Sequence, residues 1–277
     1  MRTADTTVLI VAHGSRDEAA RREFLHQVRA ISRELQGTTV GHAVLEFPGS
    51  DSPSIQAAVD ALAQESRRLI VLPLFLFDAG HVRRDIPAEL DAARARNPEL
   101  VITMLPQVGS GDGLLEVLAD RVLSARESAP VLADDTCAVL LVGAGTSSPD
   151  ANAELAGMAA KLSDKLSMAV EPAFVSLARP TVMEGMVRCV DRGARHVVTV
   201  HYFLNTGVLA RRIEPKARAE AERLGVKLTI GQHFGTHEIL AKALAGRIHA
   251  ALMSQADVSN HEDAQNDDEQ PNDITKT

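Results

Sequence analysis

Short unbroken runs of Val, Ile and Leu alternate along the chain with longer stretches of helical period. The runs VLIVA, starting at Val8, and RLIVLPLFLF, reaching Phe77, are continuously apolar, as strands buried on both faces of a parallel sheet must be. Between them, REFLHQVRAISREL sets Phe24, Val28, Ile31 and Leu35 on one stripe of a helix, the pattern of a crossover helix covering such a sheet. Strands are therefore expected at the first run and over Leu69 to Phe77.

The whole pattern occurs twice. VLIVAHGS (Val8 to Ser15) aligns with VLLVGAGT (Val139 to Thr146), and the helices that follow keep step through Glu23 with Glu154 and Leu35 with Leu166. RRLIVLPLFLFDAGHVRRDI (Arg67 to Ile86) answers ARHVVTVHYFLNTGVLARRI (Ala194 to Ile213), pairing Gly80 with Gly207 and Arg84 with Arg211. QVGSGDGLLEVLADRV (Gln107 to Val122) answers HFGTHEILAKALAGRI (His233 to Ile248). The offset drifts from 131 to 127 to 126, which places short insertions in the first half, around Pro48 to Ser52. Duplication of this kind decides the fold class. The expectation is an α/β protein of two similar domains, 1–129 and 136–253, each a sheet of roughly four parallel strands flanked by helices. From 254 to 277 the chain is polar and acidic without apolar period, and is read as a disordered tail.

Composition narrows the function classes. An apolar fraction of 45% with 24% charged residues is that of an ordinary globular protein. The net charge is −8, and most of it sits in the last 23 residues, where seven acids face the single Lys276. With one Tyr, seven Phe and no Trp besides, neither the phosphate-binding charge nor the stacking platforms of a nucleic-acid partner are present. Cys137 and Cys189 form no metal-binding or disulfide spacing and read as small buried side chains in a reducing compartment. The start MRTADTT lacks a signal-peptide plan, and no apolar run approaches the ~20 residues that span a bilayer. A cytoplasmic protein without a membrane partner is expected.

In open parallel sheets, ligands sit beyond the carboxyl ends of the strands. Three polar residues fall there in the first half: His13 after the first strand, Glu46 ending AVLE, and His81 just past Gly80. At the aligned positions the second half has Ala144, Ser176 and Val208. The scaffold is repeated and the triplet is not, so these side chains are not needed by the scaffold itself. Two imidazoles and a carboxylate without a thiolate suit a borderline divalent ion such as Co²⁺, Ni²⁺, Fe²⁺ or Zn²⁺. Three protein ligands with open positions describe a site that handles a metal rather than one that locks it into the fold.

The motifs AHGSRD (Ala12 to Asp17) and PLFLFDAGHVRRDIP (Pro73 to Pro87), with GTSSPDANAEL and YFLNTGVLARRI in the second half, resemble the long, two-domain sirohydrochlorin chelatases of the CbiX and SirB type. The likeness runs from about Thr7 to Met253. It implies two similar α/β domains with the active site in the cleft between them, built on the first half. It also implies ATP-independent insertion of Co²⁺ or Fe²⁺ into sirohydrochlorin, on the way to cobalamin or sirohaem. The metal is then a substrate, and no permanently bound cofactor is expected. Carried to this sequence, the resemblance makes His13 and His81 the metal ligands and proton acceptors, with Glu46 assisting. His201 and Asn205 depart from the usual pattern of related second halves, and the tail is not His-rich.

The substrate bears eight carboxylates, so arginines should line the cleft. Arg83, Arg84, Arg211 and Arg212 are candidates, and Ser15 is a further candidate contact, although a helix N-cap is the commoner use of such a serine. The pairs His233/His237 and His196/His201 are disfavoured as metal sites, the first by its loop and the second by opposite strand faces. GSGDG (Gly109 to Gly113) reads as a turn. A non-catalytic tetrapyrrole or metal carrier is the main rival. A phosphatase using His13 lacks the Arg before that His.

Overall fold

The computed structural model of the protein describes residues 6–78, 80–109, 111–128 and 136–266, of which 112 and 255–266 by backbone alone. The first half contains β1 (Thr6–Ala12), α1 (Glu18–Glu34), β2 (Val40–Val44), α2 (Ile55–Leu62) and β3 (Arg68–Pro73). It continues with α3 (Ile86–Arg96), β4 (Val101–Met104) and α4 (Asp112–Glu127). The second half repeats the series as β5 (Cys137–Gly143), α5 (Pro149–Leu166), β6 (Ala169–Phe174), α6 (Val182–Asp191) and β7 (His196–His201). It ends with α7 (Ile213–Leu224), β8 (Lys227–Ile230) and α8 (Glu238–Asn266). Each half forms a four-stranded parallel sheet, ordered β2-β1-β3-β4 and β6-β5-β7-β8.

The apolar runs are strands because both of their faces are covered. Val8, Ile10, Ile70 and Leu72 face one layer of helices, while Leu9, Val11, Leu69 and Val71 face the other, and all eight are fully buried. The stripe Phe24, Val28, Ile31 and Leu35 is buried as its spacing requires. β3 stops at Pro73, short of the expected Phe77. Its neighbour β4 ends opposite Val71 and β1 ends at Ala12, and Leu74 gives its N–H to Val11 O before the chain leaves the sheet. At the other end of the chain α8 continues to Asn266, so helical backbone occupies the first part of the segment expected to be disordered. Residues 267–277 lie outside the described residues.

The halves exchange a helix. One face of the first sheet carries α2 and α3, and the opposite face carries α1 together with α8, the last helix of the second half. The second sheet carries α6 and α7 on one face, and α5 with α4 on the other. Two repeat-related arginines tie these crossings. Arg121 of α4 donates to the carbonyls of His233 and Phe234, both at 3.0 Å. Arg247 of α8 donates to the carbonyls of Pro106, Gln107 and Val108 at 2.6, 3.0 and 3.3 Å. Between the two helix layers runs one continuous apolar core that contains residues of both halves.

Candidate functional site

β1 sends its chain to β2 on one side, while β3 carries the fold to β4 on the other, so the loops after β1 and β3 diverge at a switch point of the topology. A crevice opens at such points. His13 follows β1 there. Gly14, with φ +92°, turns the chain back so closely that a Cβ would stand 1.9 Å from the Glu46 carbonyl oxygen. The Glu46 N–H in turn bonds His13 O at 2.8 Å. This local turn, which only glycine permits without strain, sets Glu46 beside His13.

The second half copies the backbone. Gly145 has φ +82° and the same 1.9 Å approach to Ser176 O, and Ser176 N–H bonds Ala144 O. Phe47 and Leu177, the residues next along, both hold positive φ, 54° and 58°. The registers His13/Ala144 and Glu46/Ser176 are therefore set by hydrogen bonds. The offset then drops from 130 at Phe47/Leu177 to 127 at the caps Ser54/Thr181, and the extra residues form the turn Gly49 to Ser52.

His81 opens a π-helical turn, His81–Asp85, that leads into α3. Its ring stands edge-on to that of His13, with centroids 4.8 Å apart, and Phe75 flanks both imidazoles at 6.3 and 6.4 Å. One donor atom from each of His13, Glu46 and His81 lies within 4.8 Å of the others, and His13 Nε2 is 3.9 Å from Glu46 Oε1. Donors bound to one ion at ~2.1 Å stand about 3–4 Å apart, so this set is slightly wider than a closed shell. Both imidazoles have Nδ1 engaged: His13 with Gly14 O at 3.1 Å and His81 with Asp85 Oδ2 at 2.7 Å. Each partner accepts, so in the neutral form of each ring Nδ1 carries the hydrogen and Nε2 has the lone pair.

His13 borders a cleft of about 690 Å³, open to solvent, between the two halves. Phe24, Phe75 and Phe77 line it from one side and Tyr202, Phe203 and Leu204 from the other. The arginines on its wall are Arg16 and Arg21. Arg16 stacks over the Phe47 ring, 4.5 Å from the centroid, and Arg21 faces Asp51 at 3.6 Å. The arginines singled out by sequence are placed differently. Arg83 donates to Asp78, and Arg84 lies exposed against Gly80. Arg211 reaches across the halves to Asp17, the N-cap of α1 on the cleft wall, while Arg212 ends the turn before α7. The Arg211 hydrogen bond holds the Asp17 carboxyl below its usual range. Ser15 also lines the cleft, and its Oγ accepts from the Asp17 N–H at 3.1 Å, so the helix cap itself is Asp17.

Of the histidines set aside by sequence, His233 and His237 serve the contact between the halves, while His196 meets Thr229 Oγ1 within the second half at 2.8 Å. His233 Nε2 meets Glu23 Oε1 at 2.7 Å, and His237 Nε2 meets Asp120 Oδ2 at 3.0 Å. Glu23 also accepts the Thr206 N–H at 2.6 Å, and Gln27 donates to Leu204 O and Gly235 O. Burial pushes Glu23 up, but the His233 and Thr206 hydrogen bonds and the Arg121 charge outweigh it, and the carboxyl sits below its usual range. Asp85, the partner of His81, and the wall residues Arg16 and Arg21 escape a reading of the sequence. The spacing of His81 and Asp85, four apart, was the available signal.

A two-sheet α/β scaffold with an open donor triad on one half defines a metal-handling protein of the chelatase type. The CbiX family model matches the chain twice, over residues 7–125 and 138–251, and the chain belongs to that family. The sirohydrochlorin cobaltochelatase of Priestia megaterium is 32% identical over 254 residues, covering 90% of this chain and 81% of that protein. The sirohydrochlorin ferrochelatase of Bacillus subtilis is 26% identical over 248 residues, covering 87% and 90%. The structure of SirB from Bacillus subtilis with Fe³⁺ superposes with a TM-score of 0.77 at 24% identity, covering 88% of this chain and 94% of that one.

Proposed function

We propose that this protein is a sirohydrochlorin chelatase that inserts Co²⁺ or Fe²⁺ without ATP, through one site on its first half. The carrying observation is the convergence of one donor atom from each of His13, His81 and Glu46 at the edge of a cleft walled by aromatic rings. The divalent ion is a substrate, held by His13 and His81 with one side left open. The tetrapyrrole lies against the aromatic walls, with Arg16 available to its carboxylates and Arg21 beside it already facing Asp51.

The reaction exchanges two pyrrole N–H protons for one M²⁺, so charge balances without an external energy source. Glu46 and the imidazoles, once the ion has left them, are the bases nearest the departing protons, and such help contributes roughly 10²–10⁴-fold. Holding ion and macrocycle face to face removes part of the entropic barrier. The second half, with Ala144, Ser176 and Val208 in the corresponding places, contributes wall and no donor. We place both substrates in the cytoplasm.

Anaerobic absorbance assays of sirohydrochlorin with Co²⁺ or Fe²⁺ test this reading. Wild-type protein is expected to accelerate insertion well above background. His13→Ala and His81→Ala are each expected to lose at least 100-fold while keeping the wild-type circular dichroism spectrum. A wild-type rate equal to background identifies a carrier, and a double variant that inserts normally removes the site.

A further inference from the structure

We propose that Asp85 is a positioning residue of this site: its carboxylate fixes His81 in the tautomer and orientation that present Nε2 to the incoming divalent ion. The inference rests on the chelatase reading above and deepens it. Asp85 Oδ2 lies 2.7 Å from His81 Nδ1, one π-helical turn away, and the turn is closed by the Ile86 N–H on His81 O. π-helical turns of this kind are rare and recur at functional sites. A carboxylate on the far nitrogen of a metal-binding imidazole sets its tautomer, orients its ring and raises its basicity.

Two observations separate this role from helix capping. Asp85 stands directly before α3, yet its side chain makes no capping hydrogen bond to that helix. The repeat supplies the second. The second half has Val208 for His81 and Arg212 for Asp85, and there a 3₁₀ turn precedes α7 instead of a π turn. Imidazole, carboxylate and turn type are absent together, although α7 starts just as α3 does. An aspartate kept for the helix would have no reason to disappear with the histidine.

The test compares wild type, Asp85→Ala and Asp85→Asn. In the metal-free proteins, long-range ¹H–¹⁵N correlation spectra report the His81 tautomer, the His81 signals being assigned by their loss in His81→Ala. Co²⁺ titration reports affinity, and insertion kinetics separate KM for the metal from KM for sirohydrochlorin. Wild type is expected to show hydrogen on Nδ1. Asp85→Ala is expected to mix the tautomers, weaken Co²⁺ binding about 10–100-fold and raise the metal KM in step, with the sirohydrochlorin KM unchanged. Asp85→Asn keeps an oxygen that accepts from Nδ1, and is expected to restore the tautomer and most of the affinity. An alanine variant with the wild-type tautomer and Co²⁺ affinity overturns the proposal. A wild type that binds Co²⁺ through His81, dependent on Asp85, yet inserts none overturns the chelatase reading and leaves the positioning role standing.

Discussion

Leu74 and His201 occupy matching places in the two halves, at the end of a central strand, and both are buried. The leucine suits that place and the histidine does not: its Nε2 has no hydrogen-bond partner among the described residues. Burial, with His233 adding and Glu214 opposing, brings the His201 imidazole down from 6.5 to about 4. An unfolded chain takes up a proton on this side chain near pH 6.5, and the folded one near pH 4. Stability is therefore full above pH 6.5 and falls as pH drops through that window. The loss from this residue reaches about 3 kcal/mol at pH 4. His201→Leu is expected to flatten the dependence, so that urea midpoints measured at pH 5 rise relative to wild type while those at pH 8 change little.

Single residues of the candidate site differ in how much of their placement the sequence carries. The clustering of His13, Glu46 and His81 is legible because the duplicated backbone supplies a copy from which they are missing. The arginines are not, since a guanidinium free for substrate and one already paired look alike in sequence. Arg211 and Arg83 carry carboxylate partners, and Arg16, overlooked, lies on the cleft wall.

At the scale of elements, the strands and their parallel order follow from continuous apolar runs, and the helices from their stripes. The exchange of α4 and α8 does not, because their apolar faces would fit either sheet. What distinguishes the two placements is the hydrogen bonding of Arg121 and Arg247 to loop carbonyls of the opposite half. Charged donors to partly buried carbonyls contribute about 1.5–3 kcal/mol each. Arg121→Met and Arg247→Met are each expected to lower stability by about 2 kcal/mol in denaturant unfolding, with the methionine stem preserving the packing. The His81–Asp85 turn also lies beyond sequence periodicity, since five residues set neither a strand nor a helix pattern.

At the scale of the molecule, the aromatic cleft, the Glu23–His233 pair and the Arg211–Asp17 pair all join the halves around the cluster of His13, Glu46 and His81. The Glu23 carboxyl, held below the usual carboxylate range, contributes while ionised, and that contribution is lost on acidification through its folded pKa. Chemistry and scaffold are divided unequally between two halves of the same architecture.

Helix exchange has a consequence for any attempt to cut the protein in two. A polypeptide ending at 128 would carry α4 with no sheet beneath it, and would leave the α1 side of its own sheet bare where α8 belongs. The fragment starting at 136 would suffer the mirror-image fault. Expressed singly, each fragment is expected to aggregate; produced together in one cell, they should find each other, copurify through a tag on either one, and regain metal insertion.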